Sequence, residues 1–314
     1  MSRTHHYVLC QHGVLGNRVD FHTLVHHFNH PDSVVKVVVL TASEKIFQTL
    51  EGIEAAGHRC IAEIRKLVSD GEIPQGSTVS VLGHSMGGLV LRFALRELEI
   101  ESVDFWNQHG LVRKYAIFIA SPHTGILGSS WLIRTSCAML LRHVSGTAED
   151  LVLASPILLA ISDDYGIASL NAFDRVVLYG NQARDKVVSV SSALVLSSDL
   201  VGGGMSTAAR DIMTITEFLH EQSEEQETFE EDPVRNQIVK NLNNGLTRVS
   251  RFLVDSPSSL PSFFQVFDNT AHTRIIAHGL LDRSKVGLPM IEHLQRILGF
   301  TENVTTSWPP TFGE

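Results

Sequence analysis

Short apolar runs alternate with amphipathic stretches along the first two thirds of the chain. "YVLCQ" (7–11) is apolar, stops at His12-Gly13, and predicts a buried strand. "NRVDFHTLVHHF" (17–28) sets Val19, Leu24, Val25 and Phe28 at roughly helical spacing. "VVKVVVLT" (34–41) is β-branched and predicts a second strand. Residues 52–71 carry a stripe of Ile53, Cys60, Ile61, Ile64 and Leu67, with Gly71 as a helix stop. A strand over 78–82, a helix over 87–98, a strand over 114–121 and a fifth strand over 175–181 follow. This alternation predicts an α/β fold: parallel βαβ units, with helices on both faces of one sheet. Ligand sites in such sheets lie beyond the carboxyl ends of the strands.

Two segments interrupt the alternation. Residues 126–172 contain "WLIRTSCAMLLRHV" and "LVLASPILLAI", which read as apolar helices. Inserted between two strands, they are expected either to cap a site or to be plain core. Residues 196–262 form the second interruption. Gly202-Gly203-Gly204 lacks the Lys-Ser/Thr of a phosphate loop. From Glu217 to Asp232 there are eight acidic residues and no Lys or Arg, the pattern of a solvated acidic face. The whole chain, 1–314, is otherwise expected to be a single domain, and no internal repeat is visible.

One strand-to-helix junction carries candidate chemistry. "VSVLGHSMGGLV" (79–90) contains Gly83-His84-Ser85-Met86-Gly87, a G-x-S-x-G pattern between an apolar run and a helical one. It fits a glycine turn needed only for packing. It also fits a strained elbow that exposes Ser85 as a nucleophile, with Gly83 and Gly87 leaving room for the turn. Met86 N–H at the helix start would then donate to an oxyanion. "CQHGVLGN" (10–17) places His12-Gly13 where a second such donor is expected, with Val14 N–H the candidate and Leu15 next.

A serine hydroxyl needs a base, and the base needs a carboxylate to orient it. Asp185, in the loop after the fifth strand, is the candidate acid, since Asp174 precedes that strand and Asp163 and Asp164 lie before it. The order serine, acid, histidine leaves His220, His272, His278 and His293 as bases. His84 and His123 precede the acid and read as neighbours of the site. His22 and His26 share a helical face, but no glutamate follows His22 as in H-E-x-x-H, so no metal is expected.

Composition narrows the classes. A net charge of −9 argues against nucleic acid as a partner. Cys10, Cys60 and Cys137 are odd in number and widely spaced, which fits buried thiols in a reducing compartment. The N-terminal residues show no signal-like apolar stretch, and no run approaches a membrane span. A cytoplasmic location is expected, with peripheral membrane contact and oligomeric state left open.

Four stretches together resemble the eukaryotic serine esterase family of lipase-like α/β-hydrolases. They are "HGVLGN", "QTLEGIEAAGHRCIAEI" (48–64), "GHSMGGLVLRFAL" with "FIASPHTG" (118–125), and "GNQARDKVVSVSSA" (180–193). Ser121 stands where that family has threonine. The resemblance implies an α/β-hydrolase fold and a Ser–Asp–His triad acting on acyl esters of lipids, without a cofactor. Its pattern of A-H followed some twenty residues later by I-x-H-L implies His272 as base, with His278 in reserve. Thioesterase, amidase or transacylase chemistry on the same triad, and a silent binding module, are the alternatives.

Overall fold

The first strand, β1 (His6–Gln11), lies one strand in from an edge of the sheet. The computed structural model describes residues 5–45, 47–101, 105–126, 145–183, 185–197, 213–218, 232–256, 271–276 and 288–299. After β1 come α1 (His22–Phe28), β2 (Val35–Val39), α2 (Ile53–Ser69), β3 (Thr78–His84), α3 (Met86–Glu101), α4 (Phe105–Gln108) and β4 (Val112–Ile119). Three short helices follow: α5 (Gly146–Leu151), α6 (Ile157–Ala160) and α7 (Asp164–Asn171). Then come β5 (Arg175–Asn181), α8 (Val190–Leu194), β6 (Thr214–Glu217), α9 (Pro233–Gly245), β7 (Val249–Asp255), α10 (Ala271–Arg274) and α11 (Leu288–Gly299).

Seven strands form one sheet in the order β2-β1-β3-β4-β5-β7-β6. All neighbours are parallel except β6, which runs antiparallel to β7 at the edge. Alternate residues of each inner strand enter opposite cores, as the period of two demands. Leu9, Val81, Phe118 and Leu178 face a core built with α2, α3 and α9. Val8, Cys10, Ile119 and Tyr179 face a second core built with α1 and α11. With helices on both faces of a mostly parallel sheet, the molecule has the α/β-hydrolase fold.

Residues 196–262 do not simply interrupt the alternation. Among the described residues they supply β6, α9 and β7, so the sheet is completed from within that segment. Asp232, at the end of the acidic run, caps α9 by accepting from Val234 N–H and Arg235 N–H, both at 3.0 Å. Residues 219–231 lie outside the described residues. So does "WLIRTSCAMLLRHV" in the first interruption. "LVLASPILLAI" is not one helix: it divides at Ser155-Pro156 between the end of α5 and α6. Proline cannot continue a helix through its own position. No helix among the described residues is long and apolar enough to cross a membrane. Cys10 and Cys60 are free and buried, and burial pushes both thiols up.

Candidate active site

β3 ends at His84 and α3 begins at Met86, so Ser85 carries the whole change of direction. Its φ of 55° lies in the left-handed region, which costs a residue with a Cβ about 1–3 kcal/mol. Two bonds hold the turn. Ser85 N–H donates to Ile119 O at 2.9 Å, and Gly88 N–H donates to Ser85 O at 3.1 Å. The flanking glycines are needed for clearance. A Cβ at Gly83 would stand 2.4 Å from Gly88 Cα, and one at Gly87 would stand 2.1 Å from Gln11 O. Both obstacles are backbone and cannot swing aside. The result is a serine that is 9% exposed, at the carboxyl edge of the sheet.

Asp185 lies four residues past β5, and its side chain is 2% exposed. Burial would push the carboxyl up, but the facing His272 and a set of donors outweigh it and hold it below the usual carboxylate range. Val187 N–H and Val188 N–H donate to Oδ1 at 3.0 and 2.9 Å. Asn181 Nδ2 donates to Oδ2 at 2.8 Å. An ionised carboxylate only accepts, so His272 Nδ1 must carry the proton of its 2.8 Å bond to Oδ2. In the neutral imidazole that leaves Nε2 with the lone pair, 2.9 Å from Ser85 Oγ. Two residues from strand ends and one from a short helix thus form one hydrogen-bonded line, with the free base end against the hydroxyl.

His272 sits in α10, only four residues long, and its backbone is held from the elbow. His84 Nε2 donates to His272 O at 2.9 Å, and the two rings lie 5.0 Å apart. The turn after β1 also runs against Ser85. A Cβ on Gly13 would fall 2.8 Å from Ser85 Cβ, so glycine is what lets the turn approach. His12 is buried and donates from Nδ1 to Gly13 O at 3.1 Å. Leu15 N–H donates to Thr49 Oγ1 at 3.0 Å, which leaves Val14 N–H as the remaining donor of the pair expected from sequence. Met86 N–H is the first of α3, ahead of any intrahelical partner.

His123 is also buried, but it belongs to the support under α3. Arg92 Nη1 donates to its Nδ1 at 3.3 Å. Burial and the Arg92 cation keep the His123 imidazole neutral, well below its ordinary value. Asp174 pairs with Lys114 at 2.7 Å before β5 begins, and Asp163 caps α7, so neither approaches Ser85. His293 bonds Tyr179 through Nδ1 at 2.9 Å. His220 and His278 lie outside the described residues. Sequence reasoning assigned no role to Asn181 or Thr49. Asn181 stands four residues before Asp185 in a segment already notable, and that spacing was the available signal.

The chain is similar to several known proteins. In baker's yeast, Saccharomyces cerevisiae (strain ATCC 204508 / S288c), the protein named "Putative lipase YDL109C" is 26% identical over 229 residues. That match takes in 67% of this chain but 34% of the yeast protein, so the chain spans about a third of its relative's length. Among solved structures, the product of lin2722 from Listeria innocua aligns over 96% of this chain and 97% of its own, at 11% identity and a TM-score of 0.46. Aspergillus fumigatus lipase B aligns over 60% of this chain and 40% of its own, at 16% identity and a TM-score of 0.42. The family described as "Putative serine esterase (DUF676)" matches residues 1–199, a stretch that holds the elbow, the turn after β1 and the Asp185 loop. With well over half of its length matched, the chain belongs to that serine esterase family of lipase-like hydrolases.

Proposed function

We propose that the protein is a serine hydrolase that cleaves carboxylic esters, with lipid acyl esters as its substrate class. The observation that carries this reading is the continuous line from Ser85 Oγ through His272 to Asp185. In the first half-reaction Ser85 Oγ attacks the ester carbonyl carbon, and His272 Nε2 takes the hydroxyl proton. Asp185 keeps the other ring nitrogen protonated and stabilises the imidazolium that forms. The tetrahedral oxyanion is held by Met86 N–H and Val14 N–H, a pair of backbone donors fixed before substrate arrives. Each such donor contributes roughly 10²–10³ in rate. His272 then returns the proton to the departing alcohol oxygen, leaving an acyl-enzyme. Water, deprotonated by the same nitrogen, releases the acid.

The test uses a fluorophosphonate probe and p-nitrophenyl esters of several chain lengths. Wild type should label and turn over. Ser85→Ala should do neither while keeping its circular dichroism spectrum. Folded wild type that neither labels nor hydrolyses would sink the reading and favour a binding module. Preference for thioesters, amides or alcohol acceptors in the same panel would move it to the other acyl-transfer chemistries, which the same three residues support.

A further inference from the structure

We propose that Thr49 is a positioning residue for the oxyanion turn, held in place by the segment 145–150. The inference rests on the serine hydrolase reading and deepens it. Leu15 adopts a φ of 55°, an uncommon conformation for a branched side chain that persists only where the surroundings impose it. Its side chain does not impose it, being 62% exposed. The backbone does. Gly16 N–H closes on Gly13 O at 3.1 Å, and Leu15 N–H is drawn onto Thr49 Oγ1 at 3.0 Å. That bond fixes the peptide plane joining Val14 to Leu15, and with it the residue proposed to donate to the oxyanion.

Thr49 is itself anchored from a distance. It is 1% exposed, in the short turn Gln48–Leu50 ahead of α2. Thr147 Oγ1 donates to Thr49 O at 2.7 Å and accepts from Gly52 N–H at 3.1 Å. Ser145 Oγ donates to Leu50 O at 3.0 Å, and Asp150 Oδ2 accepts from Ile53 N–H at 2.8 Å. Three side chains of the segment after β4 thus grip residues 49–53, and Thr49 passes that grip to the turn beside Ser85.

The chemistry of the role predicts which kinetic constant moves. A donor fixed by Thr49 meets charge that develops only in the transition state, so loosening it lowers kcat more than it raises KM. Misplacement of about 1 Å costs on the order of 10²-fold in rate. Thr49→Val keeps the shape and removes the acceptor, and should lower kcat for a p-nitrophenyl ester by roughly 10- to 100-fold, with KM within about twofold. Thr49→Ser keeps the hydroxyl and should retain most of kcat. Amide hydrogen exchange gives a readout independent of turnover: Leu15 N–H should exchange faster in Thr49→Val while the β3 amides stay protected. Equal kcat in the Val and Ser variants, or unchanged exchange at Leu15, overturns the inference. The two failures are distinguishable: an active wild type, silenced by Ser85→Ala but untouched by Thr49→Val, leaves the hydrolase reading standing and removes only this role. A wild type without activity removes both.

Discussion

Asp185 receives four hydrogen bonds, from Val187 N–H, Val188 N–H, Asn181 Nδ2 and His272 Nδ1. Three of them come from its own loop and the end of β5, so the carboxylate is set before His272 arrives. This is why its replacement should hurt more than a lost contact. Asp185→Asn offers His272 either an amide oxygen or an N–H donor. The second choice opposes the ring N–H and favours the tautomer that points a proton at Ser85. We expect kcat to fall by roughly 10³–10⁴ with the fold intact. Steady-state rates with p-nitrophenyl acetate check it, and a loss under tenfold would argue that Asp185 does not orient the base. Linkage gives this residue a second signature. Its carboxyl sits below the ordinary range when folded, so the stability it contributes is present above the unfolded value and lost as pH falls through the folded one.

At the scale of elements, the inner strands were legible because both their faces are buried. β1, β3 and β5 read as continuous apolar runs, and each ends where a motif residue begins. Ser85 and Asp185 were legible for the same reason, since each is tied to a strand end. β7 was missed although its alternation is clean: Ser250, Phe252 and Val254 are buried while Val249, Arg251 and Leu253 are half-buried. The alternation is in burial and not in sequence: Ser250 and Arg251 are adjacent polar residues, and Phe252, Leu253 and Val254 are consecutive apolar ones. β6, with four residues at the sheet edge, carries too little pattern to be read. The histidine was ambiguous from spacing alone because α10 is a single turn, too short for periodicity, and only the family resemblance singled out His272. Thr49 and Arg92 were illegible for a different reason. Thr49 finds partners 34 and 98 residues away. Arg92 reaches Ser162 Oγ at 2.6 Å across the contact of α3 with α7. Side-chain bonds across such separations leave no local pattern.

For the whole molecule, buried histidines set the response to acid. His6 donates from Nδ1 to Leu298 O at 3.3 Å and accepts at Nε2 from Ser80 Oγ at 2.7 Å, a bridge that needs the neutral ring. Burial lowers its pKa to about 4, and burial does the same to His293, also to about 4. Both join α11 to the sheet. Below the ordinary histidine value of 6.5 the unfolded chain binds protons that these folded sites refuse, so stability declines as pH falls from there towards 4. Urea midpoints at several pH values should therefore drop between about pH 6.5 and pH 4.5, and a flat profile would contradict it. The elbow has a global consequence of another kind. A left-handed residue with a Cβ lowers thermal endurance, and here it falls on the residue that supplies the nucleophile of the proposed chemistry. Ser85→Gly should melt higher than Ser85→Ala, by about 1 kcal/mol of unfolding free energy, because only glycine relaxes there. Calorimetry on the two inactive variants would reveal the reverse order if the turn is unstrained. Selection for heat resistance alone would erase this serine, whereas selection for turnover keeps the molecule somewhat less stable than its backbone allows.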